Sequence, residues 1–391
     1  MSKTNGKAAS IDALRGKVWQ IRDALAGSLA ERTDAIDCVM TAFVCQEHVV
    51  FEGPPGTAKS LMSDGLMRCI DGGNYVRRLL HKFMVADELI GPMDLAHFKK
   101  HNVFRRALAN GACDAHGLFL DEIFKANGAL LNTLLTLLEE RQYADQSGSM
   151  SVPLRMAVSA SNEFPQEAVL AALYDRFLFR CRVNYIALRG NKRDLLLRKA
   201  GQAKVAQAFT PPCTITVQEW DTIAADVDTV TVPEALIDKL LDFQNQLAKD
   251  GMLMSDRRSV KVLRAIKAAA WLDGDAEATV DHLHVLRFCA WDTPEELEKV
   301  NAAVKTLERS ATRTALDEID AALRTFNALP TEPNARNEAL GNALTAITTT
   351  GHAIKARIAA GEFTKRGVEK VTRRAAELKK AYETLQNEVQ L

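Results

Sequence analysis

A short apolar run, His48-Val49-Val50-Phe51, stops abruptly at Gly53-Pro54-Pro55-Gly56, and helical periodicity resumes beyond it. A run of this length without polar alternation marks a strand buried on both faces of a parallel sheet. Two more runs of the same kind follow, Gly117-Leu118-Phe119-Leu120 and Met156-Ala157-Val158-Ser159-Ala160. Between them Leu130, Leu131, Leu134, Leu135 and Leu138 recur at helical spacing, from Asn127 to Arg141. Strands alternating with helices predict a three-layer α/β core. Ahead of the first strand, Ile11, Leu14, Val18, Ile21 and Leu25, then Ile36, Val39, Met40 and Phe43, predict two amphipathic helices.

After about residue 205 the strand signals fade. Three helical patterns fill 233–292, punctuated by Gly251 and Gly274. From Pro294 a thin stripe runs through Leu297, Val300, Val304 and Leu307, and resumes with Leu316, Ile319, Leu323 and Phe326. Pro330 and Pro333 break it, and two further helices offer partners at Leu340, Leu344, Ile347, Ile354 and Ile358, then Val368, Val371, Leu378, Tyr382 and Leu385. The expected domains are an α/β core over 1–205, an all-helical lid over 206–295 and a three-helix stalk over 296–391.

Composition narrows the function. Lys+Arg and Asp+Glu balance at 50 each, which argues against a broad basic surface for nucleic acid. No apolar run approaches the roughly 18 residues that a membrane span requires, and the polar start does not read as a secretion signal. Seven scattered cysteines without a C-x-x-C pair are the habit of reduced thiols in a cytoplasmic protein.

The segment Gly53-Pro54-Pro55-Gly56-Thr57-Ala58-Lys59-Ser60-Leu61 stands where a phosphate cradle belongs, between a buried strand and a helix N-terminus. Lys59 would reach the β- and γ-phosphates of ATP, and the Ser60 hydroxyl would ligate Mg²⁺. Ala58 stands where the usual pattern has glycine, which calls for a backbone angle that a Cβ tolerates. About 60 residues later, Asp121-Glu122 ends a buried strand, at the edge where open α/β sheets bind ligands. Asp121 would hold Mg²⁺ through water, and Glu122 would orient and deprotonate the attacking water. A third strand ends at Ser161-Asn162-Glu163, so Asn162 could hold that water or sense the γ-phosphate. Two arginine sites follow, Arg176 after Tyr174-Asp175 and the pair Arg257-Arg258 after Ser255-Asp256. Either member of the pair could reach back to the nucleotide; taken singly, each of the three is more commonly a solvated charge.

Together these residues resemble an AAA+ ATPase of the MoxR branch, and within it the RavA (regulatory ATPase variant) proteins. The resemblance runs from about 25 to 275, through Leu29-Ala-Glu-Arg32, Gly53 to Ser60, Phe119-Leu-Asp-Glu-Ile123, Leu131-Asn-Thr-Leu-Leu135, Glu140-Arg-Gln142, Ala160-Ser-Asn-Glu163, Ala172-Leu-Tyr-Asp-Arg176 and Ser255-Asp-Arg-Arg258. The branch typically carries alanine before its lysine. The resemblance implies that Lys59 and Ser60 belong to Walker A, Asp121 and Glu122 to Walker B, Asn162 to sensor 1, Arg176 to the arginine finger and Arg257 to sensor 2. It also implies a homo-hexameric ring, an insertion at 85–95, a pore-facing hairpin at 143–153, and a von Willebrand factor A (VWA) partner. In RavA proteins a small β-rich domain interrupts the helical pair and docks onto an inducible lysine decarboxylase. Here only a short Pro-containing loop follows Phe326, so that partnership is not carried over.

Other groupings are weaker. His97 and His101 lack the glutamate of a zinc protease helix, and the basic residues of the last helix alternate with Glu369, Glu377 and Glu383. The expected function is an ATP-hydrolysing ring that remodels or activates a protein partner. The rivals are a nucleic-acid motor of the same superfamily and a nucleotide-gated scaffold with little turnover.

Overall fold

Alternate residues of each apolar run pack into different cores. The computed structural model describes residues 2–103, 105–145, 148–164, 168–200, 209–307, 311–327, 329, 333–360, 363 and 365–389. Five strands form one parallel sheet: β1 (Val49–Glu52), β2 (Tyr75–Leu79), β3 (Gly117–Asp121), β4 (Met156–Ser161) and β5 (Phe179–Arg182), in the order β2-β3-β4-β1-β5. Val49, Phe51, Phe119, Met156 and Val158 join a core with the Ser2–Ser28, Thr33–Val44 and Lys59–Met67 helices. Val50, Leu118, Leu120 and Ala157 join a second core with the Gly128–Glu139 and Ala168–Tyr174 helices. The expected three layers follow directly from this division.

β1, β3 and β4 coincide with the three apolar runs, whereas β2 and β5 were not read from the sequence. Both lie at the sheet edges, and their arginines (Arg77, Arg78, Arg180, Arg182) break the apolar signal. His48, just before β1, bolts the sheet to a helix. Its Nδ1 accepts from the Ala157 N–H at 3.0 Å, so its Nε2–H donates to the Leu138 carbonyl at 2.8 Å. Burial lowers its pKa to about 3, which keeps it neutral.

The lid helices Glu234–Lys249 and Asp256–Asp273 and the 3₁₀ segment Val280–Phe288 share the first core, closed by buried Trp271 and Trp291. The apolar stripe from 297 to 326 divides here. Val300 and Val304, on the Pro294–Leu307 helix, pack into this lid core with Leu297 and Leu307 against them, instead of joining the bundle. The difference is one of competition: the lid core lies next in the chain and takes up the first half of the stripe. The separate three-helix bundle is formed by Ala311–Asn327, Pro333–Ala359 and Lys365–Val389, around Ile319, Leu323, Ile347, Ile354, Val371, Leu378 and Leu385. Arg374 to Asp320 at 2.7 Å and Arg357 to Glu318 at 3.1 Å tie its helices on the outside. Residues 329 and 333–340 contain no strand, and 328 and 330–332 lie outside the described residues.

No helix among the described residues is long and apolar enough to cross a membrane. All seven cysteines are free thiols, six of them buried.

Deleting residues 335–391 removes both partners of the Ala311–Asn327 helix. The truncated chain should bind an apolar dye and aggregate in size exclusion, while nucleotide affinity survives. A dye-dark, monodisperse truncation would contradict the packing described.

Candidate nucleotide site

The strand register brings the site to one sheet edge. Glu52 pairs with Ser161 on one side and Arg182 on the other, and Asp121 pairs with Ala160. Gly53 leaves β1 with φ +143, and a Cβ there would lie 2.1 Å from the Val183 carbonyl oxygen. Only glycine permits that approach. Thr57 Oγ1 then donates to the Pro54 carbonyl at 2.9 Å, and Arg32 Nε–H donates to the Thr57 carbonyl at 3.0 Å. Arg32 is buried and desolvated, which lowers its pKa.

Ala58 adopts φ 70 and ψ 22 immediately before the Lys59–Met67 helix. The sequence suggested an angle that a Cβ tolerates; the angle found is left-handed, which costs an L-residue about 1–2 kcal/mol. The loop holds alanine there against its own preference. Lys59 Nζ donates to the Gly53 carbonyl at 2.6 Å and to the Pro54 carbonyl at 3.0 Å. Burial lowers its pKa, and Asp121 and Glu122 oppose that shift.

Glu122 is also left-handed, at φ 54, and its carboxylate stands 3.4 Å from Lys125 Nζ. Ser161 Oγ donates to the Glu163 carbonyl at 2.9 Å and accepts from the Glu163 N–H at 3.0 Å, which fixes the turn carrying exposed Asn162. A cleft of about 950 Å³ collects Pro55 to Leu61, Asp121, Glu122 and Asn162. Its other walls are Ser28 to Ala30 with Arg32, and Tyr185 to Leu196 in part. Glu31 joins those two walls, accepting from the N–H groups of Ala187 at 2.7 Å and Leu188 at 2.9 Å and from the Asn191 amide at 2.8 Å.

Sequence reasoning quoted the Leu29-Ala-Glu-Arg32 stretch without placing it in the site, and it missed the 185–196 wall entirely. A polar, Leu-rich helix carries no signal of its own for a cleft. Arg176 and Arg257 are not among the cleft-lining residues. Arg176 Nη1 donates to the Ala172 carbonyl at 2.7 Å, and Arg257 lies 3.7 Å from Asp175 and 3.5 Å from Glu139. Arg258 is buried instead, paired with Asp175 at 2.9 Å and Asp292 at 2.8 Å.

The cleft fits a nucleoside triphosphate with its cation. The glycine-bearing loop opens the helix N-terminus, and a lysine, a hydroxyl and two carboxylates converge below it. Gly56, at φ +77, has nothing among the described residues within 4 Å of the position a Cβ would take, so the loop crest is open to a ligand.

Residues 16–224 match the family described as the MoxR domain in the MoxR-vWA-beta-propeller ternary systems, and residues 235–304 match an AAA lid domain. The chain belongs to the MoxR family of AAA+ ATPases. It is 34% identical to an uncharacterized protein of Methanocaldococcus jannaschii over 78% of each chain, and 34% identical to a second from the same organism over 73% of this chain and 74% of that one. The chaperone MoxR1 of Mycobacterium tuberculosis is 26% identical over 46% of each chain. The crystal structure of a presumed ATPase of Cytophaga hutchinsonii superposes with a TM-score of 0.63 at 17% identity, covering 79% of this chain and 98% of that one, which shows the shared fold. These matches establish the MoxR family without singling out its RavA branch.

Two predictions test this MoxR site. Ala58→Gly relieves the left-handed strain and should raise unfolding stability by about 1 kcal/mol, read by denaturant titration. An unchanged or lower midpoint would show that the loop does not impose the angle. The second concerns Glu52, whose pKa burial raises from 4.5 to about 7, against the opposing effects of Tyr174, Arg180 and Arg182. Between those values the folded state holds a proton that the unfolded state has released. Stability from this group is therefore lost as pH rises through the window, by roughly 3 kcal/mol in all. Melting temperatures of Glu52→Gln should lack that decline; parallel curves for both proteins would refute it.

Proposed function

We propose that the chain is a Mg²⁺-dependent ATPase that works as a ring hexamer and remodels or activates a protein partner. The convergence of Lys59, Ser60, Asp121, Glu122 and Asn162 on one cleft carries this reading. Lys59 and the N–H groups from Gly56 to Leu61 would bind the phosphates, releasing Lys59 from the Gly53 and Pro54 carbonyls. Ser60 and Asp121 would hold Mg²⁺, which neutralises charge on the β- and γ-oxygens when bound. Glu122 would take the proton of the attacking water, and Asn162 would orient that water or read the γ-phosphate.

Arg176 and Arg257 both border Asp175, and neither lines the chain's own cleft. That position supports a role for Arg176 as the arginine finger in the adjacent subunit's cleft, while Arg257, which opens a lid helix, would be the sensor 2 arginine for the nucleotide held between this chain's own core and lid. An arginine supplied in trans stabilises charge on the transferring phosphoryl group. A VWA-domain partner is supported by the ternary systems from which the matched family takes its description, and a chaperone-like action by the likeness to the chaperone MoxR1.

Glu122→Gln keeps the side-chain shape and removes the base. Turnover should fall by on the order of 10²–10⁴, with Mg-ATP affinity unchanged and ATP retained on the protein. Wild-type phosphate release from this variant would overturn the assignment of Glu122.

A further inference from the structure

The Tyr174-Asp175-Arg176 turn is held from two directions. On the core side, the Tyr174 hydroxyl donates to Oε1 of Glu52, the residue that immediately precedes the phosphate loop. Arg180 lies over the Tyr174 ring at 4.1 Å and donates to the Tyr174 carbonyl at 3.3 Å. On the lid side, Arg258 donates to Asp175 at 2.9 Å and to Asp292 at 2.8 Å, and Asp292 also accepts from Arg180. Glu52, Tyr174, Arg180 and Arg258 are all buried.

An apolar core would stabilise this junction as well or better, because each buried charge carries a desolvation cost. What a connected polar network adds is a defined geometry. Arg176 directly follows two of its members, Tyr174 and Asp175, while the Arg176 side chain bonds its own helix end and leaves Nε buried without a partner among the described residues. The backbone on the N-terminal side of the finger is therefore fixed by Glu52 and Arg258, one from the phosphate loop's strand and one from the lid.

We infer that Glu52, Tyr174, Arg180, Asp292 and Arg258 are positioning residues that set Arg176 for the adjacent subunit's cleft, in step with this subunit's own phosphate loop and lid. The inference rests on the proposed trans role of Arg176. Any displacement of β1's end or of the lid is passed to the turn, so one subunit's nucleotide state reaches the next through the finger.

Mixed assemblies test it. Tyr174→Phe removes one hydroxyl and keeps the ring beneath Arg180. Its turnover should fall by on the order of tenfold or more, as expected for a misplaced catalytic group, with Mg-ATP affinity and melting temperature nearly unchanged. Mixing it with full-length Lys59→Ala protein, which carries an intact Arg176, should restore turnover well above the sum of the two alone. Asp292→Asn, treated identically, serves if the tyrosine variant does not fold. Arg176→Ala mixed with Lys59→Ala is the control. Rescue of the control but not of the positioning variants places the defect in the variant's own cleft and overturns the inference, as does wild-type turnover in both variants. No rescue of the control despite demonstrated subunit exchange overturns the trans reading, and this inference falls with it.

Discussion

The approach of Gly53 to Val183 sets the rest of the molecule. With a Cβ at that position 2.1 Å from a carbonyl oxygen, β1 could not turn out between β4 and β5 as it does. The Gly53 N–H donates to the Ser161 carbonyl at 3.1 Å, and the Val183 N–H donates to the Glu52 carbonyl at 2.7 Å. The loop is thus clamped between both neighbouring strands as it leaves the sheet. Everything at the site is placed relative to that clamp: the Lys59–Met67 helix, Arg32 on the Thr57 carbonyl, and the carboxylates one strand beyond β4.

Two strained residues lie at the same edge. Ala58 and Glu122 are both left-handed without being glycine, and one belongs to the loop while the other follows β3. Such residues persist only where surrounding structure over-determines them. At Ala58 the over-determination comes from the clamp and from the helix that must start at Lys59. At Glu122 it comes from β3 ending in register with β4 and from the short Ile123–Lys125 turn that follows.

Much of this was legible in the amino-acid sequence, and the reasons differ by element. Strands buried on both faces announce themselves as apolar runs, so β1, β3 and β4 could be read; β2 and β5, at the edges, could not. β5 hides its signal further because fully buried Arg180 looks like a surface residue until Asp292 and Tyr174 are seen around it. The Gly53 to Ser60 loop and Asp121-Glu122 were readable because the phosphate and Mg²⁺ chemistry proposed for them requires particular residues at close spacing. The walls at 28–32 and 185–196 were not, because a cleft wall needs only shape. The Ser255-Asp256-Arg257-Arg258 motif was found, yet its two arginines part company: Arg258 is drawn inward by two carboxylates, and Arg257 remains exposed beside Asp175. Adjacent helical positions point about 100° apart, which separates them.

The central claim is that one nucleotide occupies the cleft formed by the phosphate loop, the 28–32 segment and the 185–196 wall. Hydrogen–deuterium exchange of the full-length protein, with and without Mg²⁺ and a non-hydrolysable ATP analogue, tests it most directly. Protection should appear together at 53–61, 28–32 and 185–196. Protection confined to other segments, or none at saturating analogue, would contradict it.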